Sequence, residues 1–263
     1  MMLLRPAASG FEVFMLRRSA SSAFAPDVYV FPGGTLEAQD SSDDALERTY
    51  GLDSSRIAKE FRARERPELP TFVAASSKRE GVALFIAALR ELYEEAGVLL
   101  ACDRDGSAVS SAALRAHRVR LHEARALVQS GELPFAELLR ELDLFADARP
   151  LALFSQWITP PSESRRYNAH FFVARVEAGQ TAAADAYETH DGIWIAPQAA
   201  LKRLRDGTFA MVYPTVKHVE RLARFDDADA LLAFAREKTI VRIMPDTTAE
   251  SGFAMPEELE HAW

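Results

Sequence analysis

Cysteine is nearly absent: Cys102 stands alone in 263 residues, so the chain has no internal disulfide and no thiolate-built zinc site. A lone thiol fits a reducing compartment, and Cys102 reads as a small buried hydrophobe. Long apolar runs are also missing. None approaches the roughly 18 residues that cross a bilayer, and Met1–Leu4 is interrupted at once by Arg5 and Pro6 instead of lengthening into a leader's apolar stretch. A cytoplasmic protein without a membrane partner is therefore expected. Basic excess is absent as well: 31 Lys and Arg against 39 Asp and Glu give a formal net charge of -8, which disfavours broad attraction to nucleic acid or anionic lipid. Neither disorder nor a fibrous repeat fits 48% hydrophobic and 27% charged residues, and at this length one core suffices without staples.

What is present alternates between strand and helix signals without strict order. Phe11–Arg18 and Val28–Phe31 read as strands, the second running into Pro32-Gly33-Gly34, where the lack of a Cβ permits a turn and a close approach. From Ser41 to about Arg79 the chain is polar, with short helices expected over Asp43–Tyr50 and Ser54–Arg64. Glu80–Ala96 is the clearest helix, because Val82, Phe85, Leu89, Leu92 and Ala96 share one stripe and Gly97 suits its end. Val98–Leu100 reads as a strand, Ser111–Ser130 and Pro134–Asp143 as helices, and Leu151–Thr159 with Tyr167–Val176 as a hairpin. Ile193–Ile195 and Thr239–Met244 read as strands, and Pro197–Arg205, Pro214–Phe225 and Asp227–Glu237 as helices. The pattern predicts an α+β fold, an α/β/α sandwich with a mixed sheet between helices.

At about 100° per residue, Glu91, Glu94 and Glu95 fall on the face of the 80–96 helix opposite its apolar stripe. Like charges four residues apart repel unless a cation lies between them, and Mg²⁺ prefers such carboxylate oxygens. For an arbitrary helix, a solvated acidic face with passing ion pairs to Arg90 would be the simpler reading. The surrounding pattern decides against it. Arg90-Glu91-Leu92-Tyr93-Glu94-Glu95-Ala96-Gly97-Val98 resembles, position by position, the second half of the Nudix box, and Gly34 with Asp40 resembles the first half, with Asp where the family usually has Glu. Residues 41 to 89 separate the halves, so the box is split by an insertion. This resembles the long-insert branch of Nudix hydrolases typified by the peroxisomal coenzyme A diphosphatases, as do Phe31–Gly34 and the Arg165–Phe172 segment. Closing so long a loop costs only logarithmically in its length.

The resemblance implies a single Nudix domain over 1–263, with insertions at about 41–79 and 107–148, the first a cap or interface away from the metal ligands. It implies an Mg²⁺- or Mn²⁺-dependent hydrolase that cleaves a nucleoside-diphosphate-linked small molecule, coenzyme A or acyl-coenzyme A first, with NADH or ADP-ribose hydrolysis or a non-catalytic ligand sensor as alternatives. The metal would be held by Glu91, Glu94, Glu95 and the Gly33 carbonyl, with Arg90 orienting the glutamates. The general base is either Glu91, narrowly favoured, or an acid of the Glu188–Trp194 loop, Glu188 or Asp191. Arg18, Arg165 and Arg166 are the substrate-binding cations, since guanidinium forks suit phosphate oxygens. Coenzyme A-type members often carry Arg-Ser, then Arg, then Gly before Phe-Pro-Gly-Gly; Arg18-Ser19 fits, but Ala23 and Asp27 occupy the other two places. His170, Trp157 and Trp194 read as structural residues. The resemblance leaves a homodimer open.

Overall fold

In the computed structural model the described residues are 1–19, 26–61, 77–176, 182, 189–249, 252–260 and 263. The strands are β1 (Met2–Pro6), β2 (Phe11–Arg18), β3 (Tyr29–Val30), β4 (Thr49–Tyr50), β5 (Ala101–Cys102), β6 (Phe145–Asp147), β7 (Ala152–Ile158), β8 (Asn168–Arg175), β9 (Thr189–Ile195) and β10 (Arg242–Ile243). A short hairpin, Asp246–Ala249 with Gly252–Ala254, follows. The helices are α1 (Asp43–Glu47), α2 (Ser54–Glu60), α3 (Lys78–Ala96), α4 (Ser111–Leu114), α5 (Arg118–Gln129), α6 (Phe135–Glu141), α7 (Pro197–Arg205), α8 (Tyr213–Leu222) and α9 (Ala228–Glu237).

Seven strands form one mixed sheet in the order β10-β7-β8-β1-β2-β3, with β9 also paired to β2. β1 runs parallel to β8 and antiparallel to β2, while β7 and β8 form the expected antiparallel hairpin. β1 and β3 take successive stretches of β2, Phe11–Val13 and Leu16–Arg17, and β9 pairs along the strand's other edge. β8 runs on beyond β1 at its Asn168 end, because Met2 is already opposite Val173. A gap opens there between β8 and the segment that follows β3, and this gap becomes the site cleft.

Each face of the sheet has its own core. On one side Leu3, Phe14, Leu16, Phe172 and Ala174 pack with Phe85, Leu89 and Leu92 of α3 and with Leu138 and Leu139 of α6. On the other, Met2, Leu4, Val13, Met15 and Phe154 pack with Val219 and Leu222 of α8 and Leu231 of α9. Alternate burial along β2 supplies both cores. The α/β/α sandwich is thus observed.

Several boundaries differ from the sequence expectation. β1 was not anticipated, since Met2, Leu3 and Leu4 are buried on both faces and so show no alternation. Val98–Leu100 is not a strand; pairing begins at Ala101 with β6. The 111–130 helix is interrupted by a 3₁₀ turn at Arg115–His117. β4 pairs parallel to β6, and β5 antiparallel to it, so the 41–79 insertion and the later helical insertion are tied by a three-stranded sheet of their own. Cys102 in β5 is fully buried, as expected.

The ends of the 41–79 insertion meet. Arg79 donates from Nε to the Ser41 carbonyl at 2.7 Å and pairs with Asp43 at 2.7 Å. Ala45, Ile57 and Phe61 from the described part of the insertion are buried against α3. A Cβ on Gly81 would lie 2.8 Å from Ile57, so glycine is what lets α2 approach α3.

Candidate active site

Helix α3 carries the site, and local chemistry fixes its length. Ser77 accepts from the Glu80 amide at its start, and Gly97, with φ of 64°, ends it by donating to the Tyr93 carbonyl. Arg125 donates to the Glu94 carbonyl at 2.7 Å and Tyr93 to the Leu121 carbonyl at 2.5 Å, which anchors the last turns to α5.

The acid side of α3 is covered by the Gly33–Asp40 segment instead of facing water. Glu91, Glu94 and Glu95 are only 8, 5 and 8% exposed. Arg90 is fully buried among them: Nε and Nη2 donate to the two oxygens of Asp40 at 2.9 and 3.0 Å, Nη1 to Glu91 at 2.9 Å and to Glu94 at 3.1 Å, and Nη2 to the Thr35 carbonyl at 2.8 Å. Burial alone would lower its pKa, but Asp40 and the glutamates raise it. Glu37, which the sequence reading missed, lies 3.5 Å from Arg90. Glu95 accepts from the Gly33 amide at 2.6 Å. A Cβ on Gly34 would lie 2.4 Å from Glu91 Oε1, so only glycine admits this approach.

Burial raises Glu91 and lifts Glu94 to about 7. The Met1 amine donates to the Pro32 carbonyl near Glu95 and Glu91, but burial lowers it to about 6, so it supplies little positive charge at neutral pH. One guanidinium thus faces more carboxyl groups than it can neutralise. Among the described residues no three carboxylate, imidazole or thiol groups already converge as a metal cage; Arg90 stands between Glu91 and Glu94. The donor set nevertheless fits a hard cation, being all oxygen, nearly buried and anionic in excess.

Glu91 opens onto a cleft of about 390 Å³ at the gap between β8 and the segment after β3, lined also by Arg18, Gly33, Gly34, Tyr167 and Asn168. The structure therefore brings Arg18, Gly33 and Glu91 together. Arg165 and Arg166 do not line this cleft; they lie in the exposed turn between β7 and β8, where Arg166 donates to the Thr159 carbonyl at 3.1 Å. Glu188 is outside the described residues, and Asp191 is exposed on β9, paired in register with Arg17. His170, read from the sequence as structural, also lines the Glu91 cleft, and burial lowers it to about 4, leaving it neutral. Trp157 is buried, and Trp194 packs on Phe14 beneath Arg5. Asp27, where the signature has glycine, keeps a glycine-like φ of 61° and accepts from Arg17.

Residues 3–222 match the family model described as the NUDT19 Nudix domain. Curated relatives include proteins named acyl-coenzyme A diphosphatase NUDT19 from Xenopus laevis, 27% identical over 88% of this chain and 65% of that one, and from Gallus gallus, 29% identical over 92% and 70%. The Homo sapiens protein of that name is 29% identical over 87% of this chain and 65% of its own. The chain thus spans about two thirds of these relatives' length. Among solved structures, a NUDIX hydrolase from Alicyclobacillus acidocaldarius superposes with a TM-score of 0.63 at 22% identity, covering 88% of this chain and 92% of that one, a likeness of fold. With a family match across most of the chain and a box helix built as above, the chain belongs to the NUDT19 Nudix domain family.

Proposed function

We propose that this single-domain protein is a divalent-metal-dependent hydrolase that cleaves the diphosphate of coenzyme A or an acyl-coenzyme A. The observation that carries this reading is the buried carboxylate cluster of α3, wired through Arg90 to Asp40 and opening at Glu91 onto a cleft that also presents Arg18. In this reading Glu91, Glu94, Glu95 and the Gly33 carbonyl hold Mg²⁺ or Mn²⁺, which when bound neutralises phosphate charge and acidifies water. Glu91, raised by burial, accepts the water proton. Asp191 is exposed on β9 and does not line the Glu91 cleft, and the described residues support Glu91 over it as base. Arg90 is a positioning residue, fully buried and saturated with acceptors. Arg18 binds a phosphate within the cleft, and Arg165 and Arg166 reach substrate from the neighbouring turn. No helix among the described residues is long and apolar enough to cross a membrane. Burial holds the Cys102 thiol up at about 11, which leaves it inert.

The test is a hydrolysis panel of coenzyme A, decanoyl-coenzyme A, NADH and ADP-ribose with Mg²⁺ or Mn²⁺. The coenzyme A compounds should be cleaved to 3′,5′-ADP and a phosphopantetheine product, with turnover lost in Glu94→Gln and Glu95→Gln while both variants stay folded. No cleavage of any compound with either metal would overturn the reading; preferential cleavage of NADH or ADP-ribose would overturn its substrate.

A further inference from the structure

The Gly33–Asp40 segment and α3, the two halves of the box, meet at Arg90, and each is also gripped from outside by a helix that the chemistry above does not use. Glu94 belongs to the last turn of α3, where the final carbonyls have no intrahelical amide to accept from. Gly97 donates to the Tyr93 carbonyl, and Arg125 of α5 donates to that of Glu94 at 2.7 Å. The Tyr93 hydroxyl donates back to the Leu121 carbonyl of α5 at 2.5 Å. α5 thus holds α3 at two adjacent residues, one of them the backbone of a site carboxylate.

The other half is held by α6. Its first residue, Phe135, follows Pro134, which offers no side-chain cap, so the Phe135 amide has no partner within the helix. Gln39, in the 3₁₀ turn Ala38–Ser41, accepts from that amide at 3.2 Å through Oε1 and donates from Nε2 to Glu37 at 2.6 Å. Glu37 lies 3.5 Å from Arg90, and its own amide donates to Asp40 at 2.8 Å. Packing does not replace these bonds, because a cavity of about 210 Å³ lies between the turn and α6, lined by Gln39, Asp40, Ile86, Phe135 and Leu139. Nor does the chain itself set the spacing, since residues 41 to 77 intervene between Asp40 and α3. We infer that α5 and α6 brace the two halves of the box in register, with Arg125 and Gln39 as positioning residues for the metal-binding carboxylates. The inference rests on the metal-dependent reading above and adds the parts that hold its geometry.

The test compares Mn²⁺ affinity, and hydrolysis of whichever compound of the panel above is cleaved, in wild type, Arg125→Met, Gln39→Met and Arg120→Met. The last is the control, because it breaks the Arg120–Glu141 pair between α5 and α6 at the surface and touches neither half. Groups that orient metal ligands change affinity by about 10–100-fold when removed. Arg125→Met and Gln39→Met should therefore each weaken Mn²⁺ binding and lower kcat about tenfold, with KM within twofold of wild type, while Arg120→Met leaves all three unchanged. Arg125→Lys, which keeps a donor for the Glu94 carbonyl, should restore kcat to within threefold. Arg125→Gln, too short for that carbonyl, and Gln39→Glu, repelled by Glu37, serve if a methionine variant unfolds. In metal-free protein, amides in the last turn of α3 should exchange hydrogen at least tenfold faster in Arg125→Met than in wild type or Arg120→Met. Affinity and kcat within twofold of wild type in either Arg125→Met or Gln39→Met, or equal losses in Arg120→Met, overturn the inference. If wild type neither binds Mn²⁺ nor hydrolyses any compound, the functional reading fails, and the exchange measurement still decides the brace: last-turn amides unchanged in Arg125→Met overturn it.

Discussion

Under one face of the sheet Arg90 is enclosed by Asp40, Glu91, Glu94 and a backbone carbonyl, whereas under the other Lys238 is enclosed by the rings of Phe154, Phe234 and Trp263, with its Nζ 3.9 Å from the first ring centre. The Nζ of Lys238 is buried with no hydrogen-bond acceptor among the described residues, and burial with help from Arg221 pushes its pKa well down. Beside it, fully buried His218 bonds Ser155 at 2.7 Å and the Pro214 carbonyl at 2.6 Å, and burial lowers it to about 3. Arg90 keeps its charge because oppositely charged partners surround it. The second cluster sheds charge because rings and neutral hydrogen bonds do not replace water. A site that must attract a cation needs the first arrangement, with anions in excess; a core that only fills space tolerates the second.

Removing the central cation should break this contrast most severely. Arg90→Met leaves Asp40 and the glutamates facing one another without a counter-charge, and a loss of about 3–5 kcal/mol in urea unfolding is expected. Saturating Mg²⁺ should restore part of it if the carboxylates accept a cation. Equal stability of Arg90→Met and wild type in EDTA would show that the cluster is not electrostatically closed.

Gly34→Ala acts on geometry alone. Its Cβ would lie 2.4 Å from Glu91 Oε1, so the carboxylate end of a flexible side chain must move. Turnover should fall about 100-fold, which is about 2.7 kcal/mol in the barrier, while unfolding stability changes by less than about 1 kcal/mol. A wild-type kcat would detach Glu91's position from catalysis.

The opposite cluster predicts a pH dependence. His218 is neutral in the folded chain and protonates near 6.5 in the unfolded one. The unfolded state therefore binds the extra proton between pH 6.5 and about 3, and stability drops by about 1.4 kcal/mol per pH unit as pH falls through that window. His218→Gln should remove this contribution from the urea-unfolding profile; an unchanged acid slope would mean that His218 is charged in the fold.

Lys238→Met gives the smallest effect, with the sign reversed from Arg90→Met. A depressed lysine costs stability wherever the unfolded chain carries the proton and the folded chain does not, or carries it at a penalty, so the substitution should stabilise by about 1 kcal/mol at pH 7. The gain should shrink as pH approaches 10.5, the ordinary lysine value. Destabilisation at pH 7 would reveal a partner for Lys238.

The two clusters were unequally legible in the sequence for a physical reason. Glu91, Glu94, Glu95 and Arg90 lie on one helix, where a 3.6-residue period fixes which side chains share a face, so the acid side and the core side of α3 could be read directly. That the acid side is covered by Gly33–Asp40 follows from contacts fifty residues apart in sequence, Arg90 to Asp40, and only the resemblance of the split box pointed there. Ser155, His218 and Lys238 come from β7, α8 and the end of α9, with no local pattern to unite them. The same holds for the small sheet joining Thr49–Tyr50 to Ala146–Asp147. β1 escaped notice because Met2–Leu4 are buried on both faces and carry no period. An apolar cleft lined by Trp157, Phe171, Tyr213 and Phe253 was equally hidden, since it joins β7, β8, α8 and the C-terminal hairpin.

The α3 carboxylates are proposed above to hold a divalent cation. This is tested most directly by Mn²⁺ titration followed through water-proton relaxation, comparing the wild-type protein with the Glu94→Gln, Glu95→Gln double variant at pH 7.5, just above the value of about 7 to which burial lifts Glu94. Wild-type protein should bind Mn²⁺ saturably, more weakly as pH falls below 7 because protons compete for Glu94, and the double variant should bind at least 100-fold more weakly. Equal Mn²⁺ affinity in the two proteins would contradict the proposal.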